Sequence, residues 1–152
     1  MALRTVITQG DDILTKRART VEVIDEKIIQ LLDDMAETME AHHGVGLAAP
    51  QVGYLKRIFI VDDGTGLKEL INPEILEVSG EQDGDEGCLS VPGMVGKVKR
   101  PNYVKISGLN RQGERIVYEG TELMARAFCH EYDHLEGKLY VSIARDLQEL
   151  EE

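Results

Sequence analysis

Residues 130–134 read HEYDH, and they constrain the fold more than any other segment because they set two histidines and a glutamate where a helix should be apolar. From about Thr121 to the residue before Gly137 the spacing is helical: Leu123, Met124, Ala127, Phe128 and Leu135 form an apolar stripe, and His130, Glu131 and His134 fall within it. Arg126, Cys129, Tyr132, Asp133 and Glu136 take the remaining circumference. An i, i+4 pair lies about 40° apart around the axis and about 6 Å along it, so two imidazoles on one face can hold one ion. Glu131, about 100° from His130, can reach a water on the same ion. Burying such groups without partners costs roughly 1–3 kcal/mol for each, and a divalent cation removes that cost.

A catalytic metal site needs a third protein ligand and an open position. Only 152 − 134 = 18 residues follow His134, and none is histidine. Glu136, Asp146, Glu149, Glu151 and Glu152 are the downstream candidates; Glu136 is on the wrong side of the helix, and the others would have to fold back from a frayed end. An upstream ligand is more economical. Cys88 fits, in the Gly-flanked segment EGCLS at 86–90, where Gly87 frees the backbone to present a thiolate. Most free cysteines are small buried hydrophobes, and composition alone favours that reading. Cys129 keeps it outright, pointing about 100° away from His130. A third segment, GVGLAAPQ at 44–51, has glycines that permit close backbone approach; taken alone it is a helix stop followed by a loop.

The rest of the chain supplies a scaffold. Ile28, Leu32, Met35 and Met39 recur at helical spacing over residues 26–41, with Asp33, Asp34, Glu37 and Glu40 filling the other side. Asp25 is the expected N-cap and Gly44 the expected stop. Arg57 to Val61 is a short β-branched and aromatic run, and Tyr103–Leu109 with Glu114–Tyr118, joined through 110–113, reads as a hairpin. An order of helix, many strands, helix predicts an α+β fold, a mainly antiparallel sheet packed around a central metal-binding helix. No repeat or linker divides residues 1–152, so a single catalytic domain is expected.

Composition narrows the function classes. A net charge of −11 opposes phosphate backbones, so direct nucleic-acid binding is not expected. No window is apolar enough for a membrane span, and MALRTVITQG lacks the apolar core of an export signal, which predicts a cytoplasmic protein. Lys97, Lys99, Arg100 and Lys105 form the one local basic cluster, read as a solvated strand face; Arg100 is placed either to meet a substrate carbonyl or to order the metal loop.

Together GVGLAAPQ, EGCLS and HEYDH, in this order, resemble the three signature motifs of the peptide deformylases, and the match runs on to Leu135 and Gly137. The resemblance implies that Cys88, His130 and His134 bind a divalent metal, natively Fe2+, with Zn2+, Ni2+ or Co2+ able to substitute, and that water completes the site. It implies that Glu131 is the general acid/base, and that the Gln51 amide and the backbone N–H of Leu89 receive the oxyanion. Gly46 and its neighbours would meet the substrate backbone, and Val45 and Glu86 would help to wall the side-chain pocket. The implied reaction removes the formyl group from the N-terminal formylmethionine of nascent polypeptides, with transient proximity to the ribosome. The ending DLQELEE offers no long basic helix for ribosome docking. Two rival functions predict different behaviour: a zincin-type endopeptidase would not need Cys88, and a module with a purely structural metal would not need Glu131.

Overall fold

The computed structural model describes residues 2–150. In chain order its elements are α1 (Glu26–Ala41), β1 (Gly46–Ala48), β2 (Ile58–Val61), β3 (Lys68–Ser79), β4 (Gln82–Cys88), β5 (Val91–Arg100), β6 (Tyr103–Leu109), β7 (Arg115–Thr121), α2 (Leu123–Leu135) and β8 (Arg145–Glu149). The strands form a five-stranded sheet in the order β1-β2-β3-β6-β7 and a three-stranded sheet in the order β4-β5-β8. Every strand pair is antiparallel. This is the expected α+β arrangement, with α2 in the middle.

Strand periodicity explains how two helices share one sheet. Along β2, Phe59 and Val61 face α2, where Phe128 lies 6.4 Å from the Phe59 ring and 6.5 Å from that of Tyr118. Ile58 and Ile60 face the opposite side and pack with Leu31, Leu32 and Met35 of α1. A strand covered on both faces reads as an unbroken apolar run, which is the pattern of residues 58–61.

Both helices are closed at their C-terminal ends by a residue in the left-handed conformation. Asp25 caps α1 by accepting from the Ile28 amide at 3.1 Å. At its other end His43, not Gly44, takes the left-handed conformation, with φ 56°. The His43 and Gly44 amides then close on the carbonyls of Glu40 and Met39. After α2 the left-handed residue is Gly137, φ 76°, and the amides of Gly137 and Lys138 close on His134 and Asp133. A Cβ on Gly137 would sit 2.7 Å from the Thr15 carbonyl oxygen, so packing as well as φ requires glycine there.

Three expectations need correction. Arg126 is buried and Leu123 is half exposed, because α2 lies between the sheets and has almost no free circumference. Asp34 is buried too, under the N-terminal segment: it accepts from the Ala2 amide at 2.8 Å, from Arg4 Nε at 2.9 Å and from Gln30 at 2.7 Å. The tail is not frayed through residue 149, since β8 pairs with β5 and Leu150 N–H donates to the Gly93 carbonyl at 2.7 Å. Glu151 and Glu152 lie outside the described residues. No helix among the described residues is long and apolar enough to cross a membrane.

Burial alone would raise the Asp34 carboxyl, but the hydrogen bonds from Ala2, Gln30 and Arg4 outweigh it and hold it below the ordinary 3.8. A depressed folded-state pKa gives stability that is present above the unfolded value and lost as pH falls through the folded one. Replacing Asp34→Asn should therefore cost about 1–3 kcal/mol near neutral pH, tempered by the partial exposure of Arg4. In urea titrations the gap between wild type and variant should stay constant above the ordinary carboxylate range and shrink below it.

Candidate metal centre

The site is assembled from three elements: the start of β1, the β4–β5 turn and the middle of α2. The β4–β5 register shifts between Glu86, opposite Gly96, and Cys88, opposite Val91. Such a bulge re-aims a side chain, and Gly87 sits within it. It delivers Cys88 Sγ to 3.3 Å from His134 Nε2. The His130 and His134 rings lie 5.0 Å apart, inclined at 73°. One donor atom from each of Cys88, His130 and His134 falls within 4.8 Å of the others.

Each group is oriented by a second layer. His130 Nδ1 is bonded to Glu86 Oε1, which leaves Nε2 for the cluster. Glu86 also accepts from Arg100 Nη2 at 2.6 Å and Nε at 3.1 Å, and from Arg126 Nη1 at 2.7 Å. Arg100 Nη1 continues to Asp133 at 2.7 Å. Burial works against a charged Glu86, yet the hydrogen bonds of His130 and Arg100 prevail and hold it at about 2. Of the two roles open to Arg100 the structure shows the second: its guanidinium is buried in ion pairs behind the metal loop. Lys97 and Lys99 are exposed, paired with Asp85 and Glu81.

Burial presses the imidazole of His134 towards its neutral form, the state that ligates a metal. Glu131 is buried, and that burial lifts its carboxyl to about 7. Its Oε2 stands 4.0 Å from His130 Nε2, and its Oε1 has no hydrogen-bond partner among the described residues. A thiolate and two imidazoles are the donor set of zinc and ferrous sites, and the unpartnered Glu131 oxygen fits a water or substrate beside such an ion. The residues therefore suit a divalent cation.

The other sequence-identified residues gather at the same place. Gln51 is buried; its Oε1 accepts from the Ala48 amide at 2.9 Å, and its Nε2 lies 3.0 Å from Ser90 Oγ and 3.5 Å from Cys88 Sγ. Val45, Gly46, Glu86 and Leu89 line a cavity of about 480 Å³ that also touches Cys88, His130 and Glu131. That size suits a small-molecule or peptide-end site. Leu123 and Ala127 form part of its wall. Glu86 lines it while its carboxylate is committed to His130 and the two arginines. Cys129 stays outside the cluster, its thiol pushed up to about 11 by burial. Glu136 pairs with Arg57 and Arg17, and Asp146 and Glu149 are exposed on β8. Ser90 and Asp133 stand inside the EGCLS and HEYDH segments without a role of their own in the sequence reading, and Arg126 lies outside all three motifs; the signal for the last two is a charge set beside a buried helix face.

The polypeptide deformylase family profile matches residues 3–149 of this chain. A peptide deformylase of Acetivibrio thermocellus is 61% identical over 140 residues, spanning 92% of this chain and 82% of the relative. The chain belongs to the polypeptide deformylase family. A second peptide deformylase, of Alkaliphilus metalliredigens, is 56% identical and is covered over 95% of its length, with 92% of this chain matched. The crystal structure of peptide deformylase from Thermotoga maritima has a TM-score of 0.92 at 40% identity, covering 94% of this chain and 98% of that one. As a peptide deformylase this protein is a hydrolase that removes the N-formyl group from newly made polypeptides, and metal dependence is general to the family.

Gly46 shows how tightly the deformylase site is fitted. A Cβ there would stand 2.5 Å from Glu131 Oε2, although the backbone conformation is open to alanine. Gly46→Ala should displace the Glu131 carboxylate and lower kcat/KM for a formylated peptide by about a hundred-fold or more, the scale of a misplaced reacting group. The thermal midpoint should move by only a few degrees. Activity and melting measured on one preparation check both halves.

Proposed function

We propose that deformylation runs at the cluster of Cys88, His130 and His134, which hold one divalent cation, Fe2+ in the native enzyme, with Zn2+, Ni2+ or Co2+ as substitutes. The observation that carries this reading is the convergence of the Cys88 sulfur and both imidazoles beside the buried Glu131. When bound, such a cation lowers the pKa of water towards neutrality and polarises the formyl carbonyl.

The chain's own groups do the rest. Glu131 takes the proton of the attacking water and returns it to the leaving amine, which would otherwise depart as a strongly basic anion. A carboxyl that burial lifts to about 7 is matched to both halves of that transfer. The Gln51 amide, fixed by Ala48 and Ser90, and the backbone N–H of Leu89 receive the negative charge that develops on the formyl oxygen. Each such donor contributes roughly 2.7–4 kcal/mol to barrier lowering in other hydrolases. Gly46 and its neighbours present backbone to the peptide, and Val45 and Glu86 wall the side-chain pocket, Glu86 also fixing His130 through Nδ1. Water adds, the C–N bond of the formamide breaks, and formate and a free N-terminal amine leave.

The substrate is the formyl-Met end of a nascent chain, met near the ribosome in the cytoplasm, and residues 1–152 act as a single catalytic domain. No nucleic-acid or membrane contact is part of this function; the net charge of −11 supports the first exclusion.

Cys88→Ala should abolish stoichiometric metal in protein purified without oxygen, whereas Glu131→Ala should keep the metal and lose formate release by at least a hundred-fold. Metal retained by the Cys88 variant would point to an endopeptidase-type ligand set instead. Full turnover by the Glu131 variant would leave only a structural metal. With iron bound, activity should decay in air and persist under argon, since both the thiolate and Fe2+ have oxidised dead ends; equal lifetimes would exclude iron as the working ion.

A further inference from the structure

The turn of α2 before His130 carries a charge that the hydrolysis described above does not use. Arg126 is 8% exposed and lines the catalytic cavity with Leu123, Ala127 and Glu86. Its Nη1 donates to Glu86 Oε2 at 2.7 Å, and this is its one side-chain hydrogen bond among the described residues. The remaining guanidinium N–H groups have no partner among the described residues, and their nitrogens are not sealed from solvent. Nη2 stands against Gly84 of β4, where an added Cβ would lie 3.4 Å away.

The cavity wall thus combines the apolar Leu123 and Ala127 with a hydrogen-bond donor that cannot lose its proton at any working pH. Its charge is balanced by Glu86, so an uncharged side chain enters without facing an unpaired cation. A thioether uses such a donor weakly, because sulfur is a poor acceptor. A sulfoxide oxygen, carried at the same distance along the chain, is a strong acceptor, and an ordinary apolar pocket would reject it for want of a partner.

On the reading that Leu123, Ala127 and Arg126 surround the first side chain of the substrate, we propose that Arg126 is a specificity-determining residue that admits oxidised N-termini. The enzyme then deformylates N-formylmethionine sulfoxide peptides as well as N-formylmethionine peptides. The reaction is the same hydrolysis; the sulfoxide is neither oxidised nor reduced.

The test compares kcat/KM for formyl-Met-Ala-Ser, its methionine sulfoxide counterpart and the formyl-norleucine analogue, in metal-loaded wild type and in Arg126→Leu and Arg126→Lys. Wild type should process the sulfoxide within about ten-fold of the thioether. In Arg126→Leu the sulfoxide-to-thioether ratio should fall roughly ten- to hundred-fold, the worth of a hydrogen bond to a charged donor, with Arg126→Lys in between. The norleucine-to-methionine ratio should barely move. Each ratio is taken on one preparation, so a loss of folded protein cancels. A wild type that cleaves the thioether and ignores the sulfoxide, or an unchanged ratio in Arg126→Leu, overturns the proposal. Should the variants fail to fold, calorimetric binding of the product peptides to wild type decides: the sulfoxide product should bind as tightly as the methionine product, and absent binding overturns the assignment. No formate from any peptide with wild type would instead sink the underlying site reading.

Discussion

A buried carboxylate, Glu86, ties the metal loop to the central helix, and the rest of the site depends on its being fully paired. It reaches α2 through His130 and Arg126 and reaches β5 through Arg100, which in turn holds Asp133 one turn along the same helix. Removing an ion from water costs several kcal/mol even after relaxation, so an isolated carboxylate here would protonate or drive the segments apart. With three donor residues around it, both of its oxygens are occupied and it stays ionised. The network yields little net stability by comparison with apolar packing. What it provides is placement: the His130 ring is held by Nδ1, and Nε2 is left for the cluster with the Cys88 sulfur.

Placement of the sulfur follows from a different constraint. Cys88 ends β4, an edge strand of the small sheet, while His130 and His134 ride on a helix packed mainly against the large one. Two sheets joined only by side chains would allow the gap between them to drift. The Gln51 contacts to Ser90 and Cys88 and the Glu86 network bridge that gap at two points around the donor atoms, while the bulge at Gly87 aims Cys88 within the small sheet. On the large-sheet side Gly46 packs directly on α2, the space of its missing side chain occupied by the Glu131 carboxylate.

How much of this the sequence disclosed depends on whether the determining contact was local. The span of α1, its Asp25 cap, the hairpin of β6 and β7 and the end of α2 before Gly137 are legible because caps, turns and periodicity act over a few residues. HEYDH and its place on an apolar stripe are legible for the same reason. Asp34 reads as a surface acid on the helical wheel, since its partner Arg4 is 30 residues upstream and no wheel contains it. The strand β8 has no apolar alternation at all; its five residues are exposed and it is held by backbone pairing to β5 and by Arg145 on Asp83. Arg126 and Asp133 went unassigned because their partners, Glu86 and Arg100, come from another sheet.

The same partners settle the charge of the outer layer. Arg100 and Arg126 face Glu86 and Asp133, so its two cations and two carboxylates offset one another. What is left inside is a buried cluster in which burial lifts the Glu131 carboxyl to about 7 and presses His134 towards its neutral form. The outer layer thus orients the site while its own charges are already spent on one another, so it does not compete with the inner groups for whatever enters the cavity.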